Sequence, residues 1–180
     1  IDAHVDGKPY GVDTVMPMSY AGRGEEISPE ALRAMISPGH HAFVDRLLQE
    51  HGVGPLPDDY ARKGDDLLGW SLEMGQQHVD VSLRHPIKFI ANALGTPPPE
   101  IVEQAHSHGV LVGALCGKKK QALRHKAAGL DVIIAQGTEA GGHTGEVATM
   151  VLVPEIVEAV GDTPVLAAGG IGSGRQVAAA

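Results

Sequence analysis

The chain has 180 residues, enough for one substantial hydrophobic core, and a formal net charge of −8. So acidic a surface repels nucleic-acid phosphates and anionic membranes, and neither is expected as a partner. The single cysteine, Cys116, excludes an internal disulfide and fits a cytoplasmic location, and the apolar runs fall short of the ~18 residues of a membrane span.

The first half of the chain predicts one strand followed by helices. The strand is predicted over 9–16, and helices are predicted to begin near Ser28, Ser37 and Ser71. Because residues 21–85 are too many for a simple connection, we expect a helical insertion there that carries the chain over the sheet.

The second half alternates apolar strands with helices. Four strands are predicted, over 87–94, 110–115, 131–136 and 164–168. In the helix predicted between the second and third of them, we expect Leu123 and Ala127 to face inward. Apolar strands alternating with helices are typical of a parallel sheet covered by helices, and both open doubly wound sheets and closed (β/α)8 barrels fit this pattern.

Two glycine-rich turns follow the last two strands. The sequence AQGTEAGGHTGE occupies 135–146, and AAGGIGSGR occupies 167–175. Both turns lie at the carboxyl ends of parallel strands, where α/β folds bind ligands, and glycine lets backbone N–H groups turn towards a phosphate. The pair predicts a phosphorylated cofactor, with tight turns that bind nothing as the alternative. A Rossmann fingerprint is excluded because Ile171 stands where its second glycine would be.

His143 is the one titratable ring within the first glycine turn. A histidine of ordinary pKa, about 6.5, can take or give a proton near neutrality, so a catalytic base and a structural brace are both open. The pairs His40-His41 and His106-Ser107-His108 are too close along their helices to converge on a metal, and no metal site is predicted. The run Lys118-Lys119-Lys120 indicates either a solvated helix start or a site that attracts anionic substrates.

The segments QGTEAGGH (136–143), VPE (153–155) and AAGGI (167–171) resemble the nitronate monooxygenase family, formerly called 2-nitropropane dioxygenase. The resemblance is strong over 86–180 and absent from 21–85. It implies an α/β fold of the (β/α)8 TIM-barrel type, and residues 1–180 are then expected to be an incomplete, FMN-binding piece of that barrel within a longer polypeptide.

The resemblance also implies roles for single residues. Gln136 would hydrogen-bond the flavin ring, and Gly141 would present its backbone to that ring. Gly169 and Gly170 would help to hold the FMN phosphate, and His143 would be the catalytic base.

Asp13 falls where the family commonly has an asparagine that contacts the flavin, although a carboxylate cannot donate a hydrogen bond as an amide does. The implied activity is FMN-dependent oxidation of alkyl nitronates or nitroalkanes with O2 to a carbonyl compound and nitrite. Two alternatives remain open: a flavin-dependent enoyl-acyl-carrier-protein reductase, and a non-catalytic flavin-binding or truncated product.

Overall fold

The structure is a computed structural model that describes residues 1–19, 28–54 and 71–180. The chain divides into two compact units, of which the larger combines Ile1–Met18 with Leu72–Ala180 and the other is Ser19–Ser71. Residues 20–27 and 55–70, which include the start and part of the middle of the predicted insertion, lie outside the described residues.

Five parallel strands form one sheet in the larger unit. They are β1 (Gly11–Thr14), β2 (Phe89–Asn92), β3 (Leu111–Cys116), β4 (Val132–Gln136) and β5 (Val165–Ala168). The strands lie side by side in chain order, and every neighbouring pair is parallel. A doubly wound sheet reverses its strand order at a switch point, whereas a barrel adds strands in succession. The sheet is therefore an arc of a (β/α)8 barrel, which confirms the barrel expectation and removes the doubly wound alternative.

The helices begin close to where the sequence predicts them. They are α1 (Pro29–Ala34), α2 (Pro38–Glu50), α3 (Leu72–Ser82), α4 (Pro99–Ser107), α5 (Lys119–Ala127), α6 (Thr149–Val160) and α7 (Gly174–Ala179). Helix α3, at the end of the predicted insertion, packs against β1 in the larger unit. Within the described ranges, no helix combines the length and the apolar character that a bilayer crossing demands.

One face of the sheet is covered by helices and carries two apolar clusters. The first joins β2 and β3 to α3 and α4, and the second joins β4 to α6. Their central side chains are Val79, Ile90, Ile101 and Val112 in the first cluster and Ile133, Leu152, Ile156 and Val160 in the second.

Helix α5 differs from its prediction. Leu123 is 43% exposed and Ala127 is exposed, so the expectation that they face inward was wrong. Ala122 and His125 are the buried side chains of this helix. The reason is that His125 finds polar partners inside: its Nε2 lies 3.1 Å from the Leu115 carbonyl oxygen and its Nδ1 lies 2.8 Å from the Thr96 hydroxyl.

The opposite face of the sheet is apolar and largely uncovered. Leu111 and Leu166 on this face are 50% and 52% exposed. The Phe89 ring packs over Gly113, where a Cβ atom would lie 2.6 Å from the ring. In a closed barrel this face would point inward and be filled by side chains from other strands.

A buried amide fixes the chain after β1. Asn92 is fully buried; its Oδ1 accepts from the Met16 N–H at 2.8 Å, and its Nδ2 donates to the carbonyl oxygens of Met16 at 3.1 Å and Gly95 at 2.8 Å. Gly75 of α3 allows this segment to pack closely, because a Cβ atom there would meet the Met16 side chain at 2.3 Å.

Candidate functional site

The two glycine turns lie next to each other at the carboxyl edge of the sheet. Gln136 ends β4 and pairs in register with Ala168, which ends β5. The first residue of the next turn, Gly137, continues the pairing by donating its N–H to the Ala168 carbonyl oxygen at 2.9 Å. Both turns thus lie at the carboxyl edge of one parallel sheet, as the sequence analysis expected.

Three residues connect the turns, and we call Glu139, Thr149 and Gly169 the clasp. Glu139 Oε2 accepts from the Thr149 N–H at 2.9 Å and lies 2.9 Å from the Thr149 hydroxyl. The same hydroxyl lies 3.0 Å from the Gly169 carbonyl oxygen. These hydrogen bonds hold the pKa of Glu139 below its ordinary value, with the Thr149 N–H as the largest cause, so the carboxylate is ionised at neutral pH.

Glycine is required where the turns approach the clasp. A Cβ atom on Gly137 would lie 2.1 Å from the Thr149 hydroxyl, and one on Gly169 would lie 2.9 Å from the same oxygen. A Cβ atom on Gly170 would lie 3.0 Å from the Glu139 Cβ. Gly169 and Gly170 also have φ angles of +115° and +71°, which residues other than glycine rarely adopt.

The distal half of the first turn is open. Gly141 and Gly142 have φ angles of +81° and +68°, and no heavy atom lies within 4 Å of a Cβ atom built on either. The next residue, His143, is exposed. An open backbone beside an exposed imidazole leaves room for a flat ring and a small substrate to approach.

The turn after β5 is braced by a glutamine of α7. Gln176 Nε2 donates to the Gly170 carbonyl oxygen at 2.6 Å, and its Oε1 accepts from the Gly172 N–H at 2.9 Å. Within the part of the chain that the structure describes, the N–H groups of Gly170 and Ile171 have no hydrogen-bond partner. Two consecutive N–H groups of this kind suit an anion such as a phosphate.

A family model supports what this geometry indicates: the model described as "Nitronate monooxygenase" matches residues 45–180. The chain belongs to the nitronate monooxygenase family.

Individual relatives and a solved structure agree with this membership. Rv1533 of Mycobacterium tuberculosis, whose name assigns it a monooxygenase activity and no substrate, is 54% identical over all of this chain and 48% of its own length. An octahydro-1H-indene-4-carboxyl-CoA dehydrogenase of Rhodococcus jostii is 41% identical over 57% of this chain and 28% of its own.

A nitroalkane oxidase structure from Streptomyces ansochromogenes superimposes with a TM-score of 0.68 and 25% identity, over 96% of this chain and 48% of that one. The chain thus spans about half the length of Rv1533 and of this oxidase.

The structure brings most of the predicted site residues of this nitronate monooxygenase family member together, but it leaves Asp13 apart. Gln136, Gly141 and His143 share the first turn, which contacts the second through the clasp. Asp13 instead lies within β1, three strands from β4 in the sheet order, opposite Ala91 in register. Its side chain points away from the helix-covered face, and partial burial raises its pKa.

Three polar residues of the site were missed by the sequence analysis: Glu139, Thr149 and Gln176. Glu139 stands inside the glycine motif, so its position was a usable signal. Thr149 and Gln176 open helices, where Ser, Thr and amide side chains commonly cap local N–H groups, and nothing in the sequence pairs them with a distant turn.

The remaining candidates lie at or near the same edge. Cys116 is buried, and burial raises its pKa to about 12, so it stays a protonated packing residue. Lys118 pairs with Glu146 of the first turn at 3.0 Å. The described residues contain no cluster of three or more His, Cys, Asp or Glu able to hold a metal ion.

Proposed function

We propose that the protein is an FMN-dependent oxidoreductase that converts alkyl nitronates, with O2, to a carbonyl compound and nitrite. The observation that carries this proposal is the joining of two glycine turns by the clasp, with His143 in the open half of the first turn, in a member of this family. Since the chain spans about half of its relatives, the activity is proposed for the whole polypeptide.

The residues present fit a flavin mononucleotide. The free N–H groups of Gly170 and Ile171 would hold the phosphate, and Gln136, at the end of β4, would meet the flavin ring. The open backbone at Gly141 leaves the space that a planar ring needs to stack closely. The bound flavin would supply the capacity to accept electrons from the substrate.

His143 would handle the proton. With a neutral nitroalkane, its imidazole would take the proton from the carbon next to the nitro group and so produce the nitronate anion within the site. A substrate that arrives as the nitronate needs no such step. Asp13, in β1 on the uncovered face of the sheet, stays a proposed contact of the flavin, to which its carboxylate could accept but not donate a hydrogen bond.

The visible absorption spectrum of the purified protein tests the proposal. We expect the purified protein to show the absorption bands of an oxidised flavin. These bands should bleach when an alkyl nitronate is added without O2, and nitrite should be released when O2 is admitted. A protein that stays colourless and takes up no FMN would contradict the proposal.

A second candidate acts on carrier thioesters such as acyl-CoA or acyl-carrier-protein substrates. It is favoured by the CoA-specific name of the Rhodococcus relative and by the exposed residues Lys118, Lys119 and Lys120, which can attract carrier phosphates. Oxidation of a reduced nicotinamide driven by an enoyl thioester, without O2 uptake on nitronates, would select this candidate. Flavin binding with no turnover on either substrate would select the non-catalytic alternative.

A further inference from the structure

We propose that Thr149 and Gln176 are positioning residues for the phosphate group of the cofactor. Each holds the carbonyl oxygen of one peptide in the β5–α7 turn and thereby directs the N–H of that same peptide towards the ligand. This inference rests on the proposed function for the identity of the phosphate, which would belong to FMN.

The argument begins with the planarity of the peptide bond. In a trans peptide the C=O of one residue and the N–H of the next lie in one plane and point in opposite directions. The described chain contains no cis peptide bond. Whatever fixes the carbonyl of Gly169 therefore fixes the N–H of Gly170, and whatever fixes the carbonyl of Gly170 fixes the N–H of Ile171.

Two side chains from different helices hold these two carbonyls. The Thr149 hydroxyl at the start of α6 lies 3.0 Å from the Gly169 oxygen, and Gln176 Nε2 in α7 lies 2.6 Å from the Gly170 oxygen. The N–H groups of Gly170 and Ile171 consequently point away from both side chains. Neither N–H has a partner among the described residues, so both are available to one ligand.

Both side chains are themselves held in place. Glu139 accepts from the Thr149 N–H at 2.9 Å and lies 2.9 Å from the hydroxyl, whose single hydrogen it shares with the Gly169 carbonyl oxygen. The two contacts with Glu139 orient the Thr149 side chain. Gln176 is anchored by the Gly172 N–H at 2.9 Å and by the Ser173 hydroxyl at 3.0 Å. The close approach of the turn to Thr149 depends on glycine, because a Cβ atom at Gly169 would lie 2.9 Å from the Thr149 hydroxyl oxygen.

The ligand that these N–H groups select is a phosphate monoester. The adjacent N–H groups of Gly170 and Ile171 lie in a turn where Gly169 and Gly170 have positive φ, and such a donor pair would match two oxygens of one tetrahedral anion. Residues 169–174 around these N–H groups carry no charged side chain, so backbone donors would make the first contacts with the anion, and Arg175 is the next cation along the chain. A phosphate group on the cofactor should therefore account for a distinct share of its binding.

The test compares FMN with riboflavin, which lacks the phosphate. Dissociation constants are measured by flavin fluorescence for the purified protein and for Thr149→Val, Thr149→Ser and Gln176→Met. We expect Thr149→Val and Gln176→Met to weaken FMN binding about tenfold or more, because hydrogen bonds to a charged group are stronger than neutral ones. Riboflavin binding should change less than about twofold, and Thr149→Ser should retain FMN binding near that of the unmodified protein.

The matched control is Glu158→Gln, which alters an exposed carboxylate of α6 outside both glycine turns. It should leave both dissociation constants unchanged. Equal losses of FMN and riboflavin in Thr149→Val would overturn the inference, because they would mean general damage to the turn. Unchanged FMN binding in both Thr149→Val and Gln176→Met would overturn it as well.

A second readout separates this inference from the proposed function. Inorganic phosphate is titrated into the flavin-free protein while the amide resonances of Gly170 and Ile171 are followed by NMR. We expect both to shift in the unmodified protein and to shift much less in Thr149→Val. Shifts without any flavin binding would support the phosphate site and contradict the flavin proposal, whereas flavin binding with no such shifts would contradict the phosphate site alone.

Discussion

The backbones of Gly117 and Gly145 lie in direct contact at the carboxyl edge of the sheet. A Cβ atom on Gly145 would lie 2.8 Å from the Gly117 carbonyl oxygen, and one on Gly117 would lie 2.7 Å from the Gly145 Cα. The contact holds the end of the first glycine turn, two residues after His143, against the end of β3. The backbone two residues beyond His143 is therefore held by two residues that have no side chains.

We predict that Gly145→Ala lowers the rate of nitrite release from alkyl nitronates by about tenfold or more. The added methyl group displaces the turn, and displacements of about 1 Å at a reactive group can reduce rates up to a hundredfold. Overpacking should also destabilise the fold by about 1–3 kcal/mol, measurable by chemical denaturation. Gly54→Ala, at a position outside both glycine turns with no heavy atom within 4 Å and no positive φ, is the control. Equal activities of the two variants would show that the contact does not position the turn.

A substitution of His143, the proposed base, should affect neutral nitroalkanes and preformed nitronates differently. We expect His143→Ala to slow oxidation of neutral nitroalkanes by about 10²- to 10⁴-fold, the usual contribution of a positioned general base. Oxidation of the preformed nitronate should fall much less, since no proton has to be removed. Steady-state nitrite assays on both substrate forms measure this difference, with His108→Ala, at an exposed position just after α4, as the control. Equal losses on both forms would argue for a binding role of His143 instead.

The clasp should loosen in acid. The pKa of Glu139 is lowered in the fold, so its contribution to stability is present above its unfolded pKa of about 4.5 and is lost as the pH falls through the lower, folded pKa. We predict that the melting temperature of Glu139→Gln depends less on pH than that of the unmodified protein below about pH 4.5. Thermal melts between pH 3 and 7 measure this, with Glu146→Gln as the control for loss of an exposed charge. Parallel curves for all three proteins would contradict the prediction.

His125 predicts a second acid transition at higher pH. A carbonyl oxygen only accepts, so Nε2 carries the hydrogen towards Leu115 and Nδ1 accepts from the Thr96 hydroxyl. Burial lowers the pKa of this histidine in the fold. As the pH falls, the unfolded chain therefore binds a proton at this imidazole at a higher pH than the folded chain does. Stability should consequently be full above about pH 6.5 and should decrease as the pH falls below that value.

The variant His125→Gln can keep one donor and one acceptor without titrating. We predict that its melting temperature changes less between pH 7 and 5 than that of the unmodified protein, whereas His108→Gln, an exposed counterpart, follows the unmodified curve. His125→Leu, which leaves the Thr96 hydroxyl without this partner, should lose about 1–3 kcal/mol at neutral pH. A pH dependence in His125→Gln equal to that of the unmodified protein would contradict this assignment.

The uncovered sheet face predicts association of the 180-residue chain in isolation. Leu111 and Leu166 are half exposed on an apolar face, and β1 and β5 each lack a second neighbour among the described strands. Sedimentation at micromolar concentrations should detect oligomers, and Leu166→Glu should reduce them more than Val157→Glu on the exposed side of α6. A monomer that melts cooperatively would contradict the prediction.

Local patterns were enough to predict the strands, most helix starts and both glycine turns. Apolar runs and glycines act within a few residues, so the β4–β5 region and His143 could be selected without coordinates. The choice between barrel and doubly wound sheet was not local, because it depends on which strands are neighbours.

Contacts between side chains that are far apart in the chain could not be predicted either, because they too depend on which elements are neighbours. Periodicity favoured Leu123 for the interior of α5, but the acceptor at Leu115 and the hydroxyl of Thr96 allow His125 to be buried instead. The contact between Thr149 and Gly169 likewise spans 20 residues and two elements. Such pairs are visible only once the fold has brought them together.

The hydrogen bonds of Asn92 bear on how the chain that follows β1 can vary in length. Its amide serves Met16 as a neighbouring strand would, supplying one acceptor and one donor where the β1 ladder has ended. The backbone at the exit from β1 is thereby satisfied from within the larger unit. A change in the length of the chain between Met18 and Leu72 should therefore leave the hydrogen bonds at the end of β1 intact.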